Sequence, residues 1–160
     1  MVELLRRGPV LALLALLLGC GAAPPSPETS EAPLFPRYVL EEATQEFAKA
    51  YQSWAARQQG EPPAVELERL LNMTGRGGSV VEAENTILGE LAVLDVPVLT
   101  GKPGEVAPEV VTTLRVEATE TVLRSGDMEA VKTTIYFKLY DPHGLIVVSH
   151  AYKTMTTREP

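Results

Sequence analysis

Few side chains in this chain are of types that do chemistry: one cysteine, two histidines and scattered carboxylates. Cys20 is the only thiol, and a thiolate is a nucleophile or a metal ligand. His143 stands in "DPHG", and His150 lies seven residues on, in a stretch that reads as strand. An odd separation in an ideal strand-and-turn geometry keeps the two rings apart, and a metal site needs three or four ligands. Ser149 and His150 are sequence neighbours on that strand, so they point to opposite faces and cannot work as nucleophile and base. Glu41, Glu42 and Glu46 read as a solvated helix face, Glu117 and Glu120 as the decoration of an exposed strand surface. Glu82 and Glu84 would share a strand face and form the one candidate acid cluster. The glycines of "GRGGS" are followed by no Gly-Lys-Ser/Thr, so they read as a flexible turn and not as a phosphate loop. The expectation is no catalytic residue, no metal, no cofactor and no enzyme.

Cys20 has a different context. Val10–Leu18 is a run of nine apolar residues behind Arg6 and Arg7. About 20 would be needed to cross a bilayer, but the arrangement suits the n- and h-regions of a secretory signal. "LLGC", Leu17 to Cys20, resembles the lipobox of bacterial prolipoproteins. Leu17 matches the aliphatic position, Gly19 the small residue before the cut, and Cys20 the lipid acceptor. The resemblance implies cleavage between Gly19 and Cys20, diacylglycerol on the sulfur and acylation of the new amino terminus, an attachment that one chain alone would make only marginal. Gly21 stands where Asp would signal inner-membrane retention in enteric-type bacteria. The lipoprotein resemblance therefore implies an outer-membrane anchor with the domain on the periplasmic side, the inner membrane or cell surface remaining open for other organisms.

The formal net charge is −7, and removing Met1–Gly19 takes away a net +1 to leave about −8. Nucleic acid is excluded as a partner, since phosphate binding runs on Lys and Arg. Anionic lipid should repel such a chain, which leaves the acyl chains on Cys20 as the membrane contact. The Pro- and Ala-rich segment after Cys20 favours extended polyproline conformations. Residues 20–36 therefore read as lipidated cysteine plus tether, the tether spanning at most roughly 50 Å. Residues 1–19 read as the cleaved signal and 37–160 as a single domain large enough to fold without staples.

The elements of that domain follow from periodicity. Leu40, Ala43, Phe47, Tyr51 and Trp54 recur in steps of three and four, an amphipathic helix stopped by Gly60, Pro62 and Pro63. "PAVELERLLN" reads as a second, short helix from Pro63 to Asn72, with Leu67, Leu70 and Leu71 on one side. The next segment is ambiguous. Ser79 and Glu82 make a capping box, yet Val81, Ala83, Ile87, Leu91 and Val93 alternate, and Thr86–Val96 is read as strand. Three alternating runs then follow: one from Val110, one ending "IYFKLY", and a last "LIVVSHAYKTMT", with "DPHG" set out as a type I turn. The fold class is α+β: the N-terminal helix packed on an antiparallel meander of three to four strands.

Two functional readings remain open. One is a non-enzymatic binding or assembly module for an envelope protein, with Tyr152 and Lys153 as a candidate partner edge. Strand-rich small lipoproteins that assist envelope assembly are similar in layout. The other is a helix-over-curved-sheet domain, similar in element order to the cystatin-like or nuclear-transport-factor-like class. That likeness implies a small apolar ligand among Phe47, Tyr51, Trp54, Ile135 and Phe137, in an enclosed cavity of about 300 Å³ or more.

Overall fold

The computed structural model describes residues 32–99, 110–125 and 128–158. Gly19, Cys20 and the tether up to residue 31 lie outside them. The elements are α1 (Arg37–Ala55), β1 (Ala64–Met73), α2 (Val80–Val93), β2 (Val111–Ser125), β3 (Met128–Tyr140) and β4 (Ile146–Arg158). The strands form one sheet in the order β1-β2-β3-β4, with the α1 and α2 layer on one face. The α+β class and the antiparallel β2-β3-β4 meander are as the alternation implied.

Helix α1 buries Val39, Leu40, Ala43, Phe47, Ala48 and Tyr51, the stripe its spacing promised. The Phe47 and Phe137 rings stack with centroids 5.1 Å apart, joining helix to sheet. The Tyr51 hydroxyl donates to the Pro63 carbonyl at 2.6 Å, fixing the helix against the start of β1. Leu34 and Phe35 are buried as well, and Pro33 bridges Ser79, so the folded body begins upstream of the Arg37 start read from sequence.

Two elements correct the sequence reading. The segment expected as a short helix at Pro63–Asn72 is strand β1, and it runs parallel to β2. A register shift between Leu67 and Arg69 explains the misreading. The extra residue moves Leu70 onto the face that Val65 and Leu67 already occupy, breaking the alternation and leaving helix-like steps. The segment expected as strand at Thr86–Val96 is instead the C-terminal part of α2. Ser79 caps it, its Oγ accepting from the Glu82 amide at 3.2 Å, and Ala83, Ile87 and Leu91 step along its buried side. Parallel strands need a crossover, and α2 supplies it between β1 and β2.

The other end of α2 closes in a Schellman motif. The Val96 amide donates to the Leu91 carbonyl and the Asp95 amide to Ala92, with Asp95 at φ +56° where glycine is usual. The "DPHG" turn forms as expected: the Gly144 amide donates to the Asp141 carbonyl, and Asp141 Oδ1 accepts from the amides of His143 and Leu145.

Candidate binding surface

A four-stranded open sheet has two edges, and this one treats them differently. At β1 part of the outer backbone is taken up. The Val65 amide donates to the Pro97 carbonyl at 2.8 Å, and the Val65 carbonyl accepts from the Leu99 amide at 2.9 Å. Further along, the Leu70 amide donates to Glu84 Oε1 at 2.7 Å, a side chain of α2 capping a strand donor. The register shift of the same strand lies between these two points.

At β4 the inner edge pairs with β3 from Ile146 to Arg158, and no strand borders its outer edge among the described residues. Helix α1 holds this strand through side chains. Tyr152 donates its hydroxyl to Glu42 Oε2 at 2.6 Å, and His150 Nε2 lies 2.9 Å from Glu46 Oε2. The hydrogen bond to Glu42, with partial burial, pushes the Tyr152 hydroxyl up to about 12. His150 and Tyr152 thus face α1, while Ser149, Ala151 and Lys153 lie on the opposite, uncovered face. Of the two residues proposed for a partner edge, Tyr152 is half-buried and tied to the helix, and Lys153 is exposed.

The uncovered sheet face carries a charge ladder that the sequence did not reveal. Arg115 grips Glu68 with two nitrogens, Nε and Nη2, at 2.9–3.1 Å, its guanidinium 5.4 Å from the Tyr140 ring. Lys138 Nζ donates to Glu117 Oε2 at 2.7 Å and lies 5.9 Å from the Tyr136 ring. These hydrogen bonds hold the Arg115 and Lys138 pKa values above their ordinary ones. Cross-strand register is the signal that would have found them, since Arg115 opposes Lys138 and Glu117 opposes Tyr136. Glu120 does not share this face. It turns to the helix side, pairs with Arg76, and accepts from Thr133.

The five candidate pocket residues come together, as packed side chains. Phe47, Ile135 and Phe137 are fully buried, Tyr51 is nearly so, and Trp54 sits half-buried against Tyr51 with ring centroids 5.8 Å apart. One recess of about 100 Å³ lies beneath Leu34, Phe35 and Leu40, and an open one of about 340 Å³ lies at the end of α1 beside Tyr51, Gly60 and Asp95. Neither is lined by Phe47, Ile135 or Phe137. The Glu82/Glu84 pairing dissolves with the correction to α2: Glu82 lies in its first turn and Glu84 caps β1. His143 is in the exposed turn and His150 against α1, and no three His, Cys, Asp or Glu side chains converge among the described residues. No described helix is long and apolar enough to cross a membrane.

Neither a family model nor a curated protein matches the chain. Among solved structures it is similar to the LpoB C-terminal domain from Salmonella enterica, at 13% identity over 72% of this chain and 97% of that one, with a TM-score of 0.45. It is similar also to lipoprotein GNA1162 from Neisseria meningitidis, at 10% identity over 60% and 84% of the two chains and a TM-score of 0.39. A minor lipoprotein from Acinetobacter baumannii is 18% identical over 61% and 68%, with a TM-score of 0.35.

Proposed function

We propose that the chain is a membrane-anchored bacterial lipoprotein whose domain is a non-enzymatic binding module, taking an envelope protein by strand addition along β4. The observation that carries this reading is the contrast between the two sheet edges. Strand β1 has outer groups of Val65 and Leu70 occupied by Pro97, Leu99 and Glu84, a covering that suppresses edge pairing. Strand β4 is long and is braced from behind by Glu42 and Glu46, an arrangement that leaves its backbone rigid for a partner. The "LLGC" motif and the tether support placement at a membrane of the envelope. Confinement there raises the effective concentration of any partner in the same membrane.

Adjacent residues of an antiparallel edge strand point their amides alternately inward and outward. Tyr152→Pro and Lys153→Pro therefore remove one donor of each kind. One of the two should keep its melting temperature yet lose partner recovery from detergent-solubilised envelopes. Full recovery with that folded variant would refute the edge, and the apolar-ligand reading would then gain ground.

A further inference from the structure

The uncovered sheet face has two unlike halves. In the half near Tyr140, the cations Arg115 and Lys138 are each matched by a glutamate. The other half begins at the register row Met73, Thr119, Thr134 and Lys153, and runs through Thr121, Lys132 and Met155 to Leu123, Ala130 and Thr157. These rows hold no acidic residue, although the chain as a whole is at −7. Their side chains are lysines, threonines, Ala130 and three large apolar groups, with Met73 59%, Met155 58% and Leu123 45% exposed. Neither Lys132 nor Lys153 is in an ion pair among the described residues.

The chain enters the domain at this same end. Pro33 bridges Ser79, and the Ser79 amide donates to the Ala32 carbonyl. Arg76 links the two on the helix side of the sheet, with its guanidinium over the Phe35 ring and its Nε on Glu120, which alternates with Thr119 and Thr121 along β2. The segment from Gly21 to Glu31 reaches at most roughly 35 Å when extended. An anchor at Cys20 thus ties this end of the sheet to the bilayer more closely than the end at Gly60.

We infer that this acid-free half-face docks on the membrane surface itself, the lysines on anionic headgroups and the methionines and leucine among the glycerol and upper acyl regions. The inference rests on the lipid-anchor reading. Docking would set the domain's orientation, which an acyl anchor alone leaves free, and would hold β4 in a fixed attitude to the membrane. The match is one of charge and of place: cations without acids locally offset the repulsion that the acidic chain as a whole exerts on anionic lipid, at the end where the chain enters the domain.

The test uses the lipidated protein reconstituted in vesicles of phosphatidylcholine with or without phosphatidylglycerol. With Cys20 acylated, single thiols introduced by Met73→Cys, Met155→Cys or Gln58→Cys can each carry an environment-sensitive fluorophore. Labels at 73 and 155 should shift to the blue with phosphatidylglycerol, lose most of their quenching by iodide and gain quenching by nitroxide lipids. The label at 58, beyond the end of α1, should stay in water. Lys132→Glu with Lys153→Glu should return the label at 155 to water while the vesicles still carry the protein on flotation. Protein that floats with every label in water overturns the docking and leaves the anchor standing. Labels shielded from iodide but untouched by nitroxide lipids indicate a protein neighbour and also overturn it. Protein that fails to float removes the anchor, and the docking with it.

Discussion

Gly78 is where two backbones touch. A Cβ built there would lie 2.6 Å from Leu34 Cα and 2.7 Å from Leu34 N, and φ is +153°. Backbone atoms cannot swing aside as a side-chain tip does. Gly78→Ala should therefore lower stability by about 1–3 kcal/mol. Gly77→Ala, where a Cβ meets nothing within 4 Å, should change it far less. Denaturant midpoints of the two variants decide whether the Pro33–Phe35 segment is part of the fold. The tyrosines set a pH dependence. Burial pushes the Tyr51 hydroxyl from 10.0 to about 12, and the bond to Glu42 does the same for Tyr152. The folded state holds these protons more tightly than the unfolded one. Their contribution to stability is complete below pH 10 and is lost as pH rises through about 12. Urea midpoints should fall across that window, and the fall should be shallower in Tyr152→Phe. An unchanged slope would mean that the Glu42 bond is absent in solution.

At the scale of elements, legibility tracked the regularity of the local pattern. Helix α1 and the β2-β3-β4 meander showed in the sequence because their apolar residues keep to one face with a regular period. Strand β1 was obscured by its register shift, which puts Leu70 out of phase with Val65 and Leu67. Helix α2 was obscured by its composition. Val81 and Val93 are exposed beside the buried Ala83, Ile87 and Leu91, so no polar face marks the period. The capping box of Ser79 and Glu82 was the truer signal, because it reports a backbone geometry and not a burial pattern. The candidate edge was legible only as a stretch of strand poor in charge. Its contrast with β1 was not, since the capping of Leu70 by Glu84 depends on α2 crossing over β1. Asp95 occupies a left-handed position and places a carboxylate at the C-terminus of α2, both unfavourable. Asp95→Gly should raise stability by about 0.5–1 kcal/mol, measurable as a higher thermal midpoint. A lower midpoint would show that the carboxylate is doing something the Schellman geometry does not require.

For the molecule as a whole, the two layers divide the labour. The helix layer fills the core, with Phe47 on Phe137, and closes one edge of the sheet through Glu84 while bracing the other through Glu42 and Glu46. Among the described residues, the outer side of β4 is the sheet edge left unpaired. Photo-cross-linking in intact cells tests this edge, with a benzoylphenylalanine placed at Ala151 on β4, outside the half-face assigned to the membrane, or at Glu68 on β1. Both sites are exposed and both lie on terminal strands. Strand addition along β4 should give one discrete higher-mass adduct from position 151 and none from position 68. An adduct from position 68 alone, or none from position 151, would refute the β4 edge.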